Sequence, residues 1–313
     1  MVLLLHGSIV IRFLLTVHCY LPSEIMTWFV LGLLSVLALA AAELTQQHLL
    51  NVKNAFTERT SAVLTFLFQS IFVLPIILLS GIAGQLFSVF TPLVFPKAFF
   101  ATLIASFAMV FYLRSFKVKN MSISTIFTSF SVVVSTSLGI VFFSESGSFG
   151  KLLGIVLILS AIVLANWKNS VLERNHFNGL AAGTLFGIVY TLEKDIMSHV
   201  HPLAYLFWAF LMIVVWGVIF GGKEVIRSVK GKGLRSYVPI VASGFGYLLF
   251  NMLTYFAYTF GGEVGRVDAI NNSQVFLIIL FEFFVLKHTE GTARKLTSAA
   301  MAILGVIILG LTK

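Results

Sequence analysis

Glu43 stands in "LAAAELTQQ", residues 39–47, an acid deep in a long apolar run. It lies about 22 Å along a helix from Trp28 at 1.5 Å per residue. A carboxyl at that depth is costly unless it is paired or serves a pathway. The chemistry open to it there is proton release coupled to substrate binding. The competing reading is that Glu43, with Gln46 and Gln47, marks the water interface and the helix end. Glu193 in "VYTLEKDIM", residues 189–197, offers a second acid. Lys194 and Asp195 adjoin it, and three successive charges read as a loop-facing helix terminus.

"NNSQ", Asn271, Asn272, Ser273 and Gln274, covers every direction of a helix with polar side chains, so some of them face protein or water rather than lipid. Neutral amides suit a substrate with several hydrogen-bonding groups, such as an amino acid or a sugar. Interhelical packing by small polar residues is the alternative. In "YLLFNMLTYFAY", Tyr247, Asn251, Tyr255 and Tyr258 fall at spacings of four, four and three, on one helical face. Such a stripe could wall a cavity that holds a planar or apolar group. Tyrosines near helix ends also anchor at membrane interfaces, although Asn251 is too central for that. Arg114 and Glu282, near the ends of their helices, read as snorkelling or paired.

Other chemistries find no support. "HVH" at 199–201 has two histidines but no third ligand at a recognisable spacing, so no metal is expected, and no cofactor is called for. HExxH, GxSxG and a Walker loop are absent, which excludes an ATP-driven pump for this chain alone. An intramembrane enzyme would lack a nucleophile–base or metal constellation.

The elements that must position these residues follow from composition. The chain of 313 residues is 58% apolar and 11% charged, with a mean hydropathy of +1.00. A soluble domain carries about 25% charge, and a chain this poor in charge cannot cover itself with polar surface. The class is an all-α polytopic membrane protein, and its formal charge of +9 needs no nucleic-acid partner, because surplus Lys and Arg in such chains sits in short loops. One cysteine, Cys19, excludes an intrachain disulfide and a cysteine metal site. Ten apolar segments are long enough to span: 27–49, 61–80, 98–114, 122–143, 150–167, 178–197, 202–221, 237–260, 267–286 and 295–312. They lack the alternation of barrel strands. Residues 1–25 form an apolar leader interrupted by His6, Arg12 and His18. A true start at Met26 is favoured there over an eleventh helix or a signal-like segment.

The segments fall into two halves, 26–168 and 177–313, joined by "NSVLERNHF". Each half ends in an apolar run, a short polar hinge (144–150 and 287–294) and a final apolar run. Lys151-Leu152 aligns with Lys295-Leu296 without a gap. Counted from the starts of helices 1 and 6, Glu43 falls opposite Glu193. Five helices per repeat place the second half in the opposite orientation, an arrangement common in transporters, with the substrate site between the halves. Two hydrophobic hairpins alike only in composition would give the same pattern.

This organisation resembles the EamA-type proteins of the drug/metabolite transporter superfamily over about residues 26–313. The carrying residues are Glu145, Gly154 and Ala161 in the first repeat and Glu290, Ser298 and Gly305 in the second. Many members have a proline early in helices 4 and 9, where this chain has Ser131-Val132 and Gln274-Val275. The resemblance implies that helices 4 and 9 line a central cavity, which brings in Thr128, Ser129 and Ser131 of helix 4.

The expected function is therefore a secondary active transporter, read as an exporter, of a small polar metabolite or organic ion, with proton coupling as an option. It would sit as a monomer or homodimer in the lipid bilayer of a prokaryotic inner membrane. A nucleotide-sugar-like exchanger is the nearest alternative, although it would want fixed cations at depth; a non-transporting scaffold is the alternative of another class. Fifteen Lys and Arg fall in the loops after helices 1, 3, 5, 7 and 9 and five on the other side, Arg12 in the leader completing the 21. The charge rule makes the first set cytoplasmic and puts Met26 and Lys313 outside, whereas the family resemblance implies both inside.

Overall fold

A computed structural model describes residues 24–51, 56–117, 125, 127–145, 147–166, 176–285 and 292–311. Nearly all of the leader, the junction 167–175 and hinge residues 286–291, with Glu290, lie outside the described residues, as do the side chains of Glu282 and Lys295. The regular elements described are all helical. They are α1 (Glu24–Asn51), α2 (Glu58–Ser80), α3 (Phe95–Ser115), α4 (Phe130–Phe143), α5 (Phe149–Asn166), α6 (His176–Met197), α7 (Pro202–Val229), α8 (Val238–Thr259), α9 (Val264–Asn272), α10 (Gln274–Phe284) and α11 (Thr292–Leu311). Two 3-10 segments, Ala83–Phe90 and Leu234–Ser236, precede α3 and α8.

Local chemistry sets the helix ends. The Thr57 hydroxyl accepts from the Thr60 amide at the start of α2, and Gly81 closes that helix with a left-handed φ of 74°. Proline opens α3, α7 and α8, where its missing N–H costs nothing. His201, half of the "HVH" pair, caps α7: its Nδ1 accepts from the Leu203 amide at 3.3 Å.

Five of the helices, α1, α2, α3, α7 and α8, are long and apolar enough to cross a membrane. The burial pattern agrees with that environment. Leu78, Val141, Phe142, Val156 and Ile219 are exposed while Glu43, Gln46, Gln69 and Lys151 are buried, the reverse of a water-facing protein. Both observations point to an integral membrane protein.

Packing follows a regular scheme. α1 lies against α8 and α3 against α6; α2 packs on α7 and α5 on α11; α4 meets α6 and α9, and α9 and α10 meet α1. Small residues let backbones approach where helices cross. A Cβ on Gly187 of α6 would lie 2.6 Å from Val134 Cβ and 2.9 Å from the Ser131 carbonyl of α4. Gly305 of α11 faces the Gly154 carbonyl of α5 in the same way. Gly187→Ala should therefore destabilise the protein by about 1–3 kcal/mol. Gly84→Ala, with no atom within 4 Å of the added Cβ, should leave the thermal midpoint in detergent unchanged.

Three boundaries differ from the sequence reading. The polar stretch from Gly221 was expected to be a connection, but α7 continues through a kink at Gly221 to Val229. Arg59 fills the space beside Gly221, with its guanidinium donating to the Phe220 carbonyl. α9 starts at Val264, ahead of the expected 267, so Arg266 is a helical residue rather than a loop charge. The ninth apolar segment is broken: Ser273 forms a turn between α9 and α10. Ser129 likewise interrupts the helical run before α4. Neither break needs a proline.

Candidate functional site

A cavity of about 80 Å³ lies inside the bundle. Its walls come from α1, α2, α3, α4, α6, α7, α8, α9 and α10, together with Thr128 just before α4. Most of the polar residues singled out in the sequence converge on it: Thr128, Ser131, Glu193, Asn251, Tyr255, Asn271, Asn272 and Gln274 all line the wall. Glu43, Gln46 and Ser273 do not.

The broken helix supplies the floor. Asp268 of α9 takes hydrogen bonds from Ser131 (3.1 Å) and Ser135 (2.7 Å) of α4 and from Asn272 (2.8 Å) one turn on. Asn272 also donates to Ser131 at 3.2 Å. Asn271 donates to Thr254 of α8 at 3.2 Å and accepts from Ser35 of α1. The four polar residues therefore divide their roles. Asn271 and Asn272 tie α9 to its neighbours, Ser273 makes the break, and Gln274 turns toward Glu43.

Glu43 is fully buried. Its Oε1 accepts from Gln274 Nε2 at 2.6 Å and from the Tyr112 hydroxyl, and Tyr112 and Gln274 line the cavity. Glu43 is thus one hydrogen bond behind the wall, and its second oxygen, Oε2, is buried with no partner. It does not mark a water interface. Gln46, one turn further, accepts from Ser243 of α8 at 2.8 Å away from the cavity.

Glu193 is 6% exposed and lines the cavity, which overturns its reading as a loop-facing terminus. Tyr205 donates to it at 3.3 Å, and the Tyr205 ring packs against that of Tyr255. Its neighbours point elsewhere. Lys194 reaches Glu145 at 2.7 Å, and Asp195 pairs with Lys97. The tyrosine stripe of α8 is buried and contributes Tyr247, Asn251 and Tyr255 to the wall. Asn251 donates to Gln69 of α2 at 3.1 Å. Arg114 is exposed over the Phe111 ring, as snorkelling requires.

Sequence reasoning missed Asp268, Gln69 and Tyr112. Asp268 carried a signal, because it lies three and four residues before Asn271 and Asn272 and so shares their helix face. Gln69 and Tyr112 carried none that separates them from ordinary core residues.

A second polar cluster closes one end of the bundle, at the connections α4–α5, α6–α7 and α8–α9. Lys151, fully buried at the start of α5, lies 3.0 Å from both Glu145 and Glu263. Glu263 holds Arg266 at 2.6 Å, and Glu145 accepts from the Val264 amide at 2.8 Å. Burial opposes the charge on Glu145, but Lys194, the Val264 amide and Lys151 outweigh it and hold the carboxyl below the usual carboxylate range.

No family model and no curated protein matches the sequence. Among solved structures the chain is similar to the crystal structure of another protein, with a TM-score of 0.72 and 13% sequence identity, over 91% of this chain and 97% of that one. At that identity the likeness shows the fold alone.

Proposed function

We propose that the chain is a secondary active transporter, with ten spans arranged as two inverted five-helix repeats that rock about the central cavity. The α9–α10 pair counts as one broken span. The observation that carries this reading is the packing scheme. Shifting every span by five exchanges α1–α8 with α6–α3, and α4–α6 with the contact of the broken span on α1; α2–α7 and α5–α11 map onto themselves. The turns at Ser129 and Ser273 share the 144-residue offset that aligns Lys151 with Lys295. The polar cavity lies where the two halves face each other, the place a transported solute would occupy.

The resemblance to EamA-type transporters fits this reading. Orientation follows the charge rule. Lys97, Lys151, Lys194 and Arg266 at the closed end all meet acids, while Lys223, Arg227, Lys230, Lys232 and Arg235 crowd the other end, which would be cytoplasmic. A nucleotide-sugar-like exchanger fits poorly, because no Lys, Arg or His is among the described residues of the cavity wall to meet phosphate. A scaffold would have no use for buried carboxyls around a cavity.

The test is uptake of a metabolite mixture into proteoliposomes under an imposed pH gradient. Solute accumulation that follows the gradient is the expected result; no flux in either direction for any solute, from protein shown to be folded, would favour the scaffold.

A further inference from the structure

The chemistry of the cavity wall narrows the solute. Two carboxyls, Glu193 and Asp268, face the space, and a third, Glu43, stands behind it. Among the described residues no cationic side chain lines it. Much of the remaining wall is aromatic. Phe186 and Tyr190 stack at 5.8 Å with their planes 8° apart, and Tyr112 meets Phe186 edge-on at 5.5 Å. Ring faces attract cations through the aromatic quadrupole, most strongly where water is excluded.

Three wall groups are also left without partners. The Tyr247 hydroxyl, Gln69 Nε2 and Gln274 Oε1 are buried, make no hydrogen bond, and belong to residues that line the cavity. A buried polar atom without a partner is costly, so these atoms mark where a ligand's polar group would be received. Tyr247 and Gln274 can both accept, as an ammonium requires. An anion would meet Glu193 and Asp268 with nothing in the wall to neutralise it.

We infer that the cavity binds an organic cation, an ammonium or guanidinium head carrying an apolar or aromatic body, with the head between Glu193 and Asp268 and the body against the Phe186–Tyr190 wall. This inference rests on reading the cavity as the solute site, and it names the solute class.

The test is ligand-induced thermal stabilisation of the full chain in detergent, with phenethylamine and tetraethylammonium as cations and 3-phenylpropionate as the size-matched anion. Both cations should raise the midpoint in a saturable way at millimolar concentration, and phenylpropionate should not. Glu193→Gln and Asp268→Asn should each weaken phenethylamine by about 30-fold or more, the loss expected when a desolvated charge partner is removed. Two variants are used so that a folding defect in one does not remove the test. Equal or stronger stabilisation by phenylpropionate, no stabilisation by either cation, or unchanged affinity in both variants would overturn the inference. Proteoliposome uptake of labelled phenethylamine separates the two readings. Cation binding without flux would sink transport and keep the cation site; gradient-driven flux of other solutes without cation binding would do the reverse.

Discussion

Replacing Lys151 with alanine is expected to destabilise the protein by about 3–5 kcal/mol, the cost of leaving buried charges without their partner. Lys151 is fully buried between Glu145 and Glu263, 3.0 Å from each. Removing it leaves two acids facing each other across the cavity the side chain vacates. Lys194 and Arg266 still hold one acid each, so the loss falls short of an isolated buried charge. The cluster joins Glu145 and Lys151 to Lys194, Glu263 and Arg266, and so ties the chain before 167 to the chain after 176. Lys194→Ala is the comparison: Lys194 is part-exposed and should cost less. Thermal and denaturant unfolding in detergent measure both. A loss below about 1 kcal/mol for Lys151→Ala, the value of an exposed pair, would mean that water reaches the cluster. The pH dependence supplies a second reading. The Glu145 carboxyl titrates below its unfolded value, so its stabilisation is complete above about pH 4.3 and disappears as pH falls through the folded value. The gap between wild type and Lys151→Ala should narrow on acidification for that reason.

Five of the helices, α1, α2, α3, α7 and α8, were legible because their apolar runs meet a length requirement set by the hydrocarbon core. The site was legible in part, and Glu193 shows why. Three successive charges look like one solvated patch, yet a helix turns about 100° per residue, so Glu193, Lys194 and Asp195 face three directions. One enters the cavity and the other two reach Glu145 and Lys97. On α1, two polar residues that share a face part company by one turn along the helix axis. Glu43 reaches the cavity wall, while Gln46 pairs with Ser243 outside it. The break at Ser273 was hidden, because no proline or glycine marks it. It becomes understandable only with Asp268, Asn271 and Asn272 in contact with three other helices. Gln69 and Tyr112 gain meaning from partners 182 and 69 residues away in the chain, separations that no local pattern encodes.

If the protein is the proton-coupled transporter proposed above, Glu43→Gln should abolish coupling to a pH gradient while leaving the protein folded. Glutamine has nearly the same shape, and its amide oxygen can keep both bonds that Oε1 accepts, from Tyr112 and Gln274. The amide nitrogen would take the place of Oε2, which has no partner in the wild type, so one unpaired atom replaces another. The change in chemistry is that no proton can be gained or lost at this position. If one proton exchanges with each solute, a gradient of one pH unit supports about tenfold accumulation, since a pH unit is worth about 1.36 kcal/mol. The variant should reach no accumulation at any gradient, yet still exchange labelled for unlabelled solute at equilibrium, because exchange needs the cavity and the two halves but no net proton movement. Loss of exchange as well would assign Glu43 to holding Tyr112 and Gln274 in the wall. Accumulation equal to wild type would remove Glu43 from coupling and leave Glu193 and Asp268, the two carboxyls that face the cavity directly, to carry it.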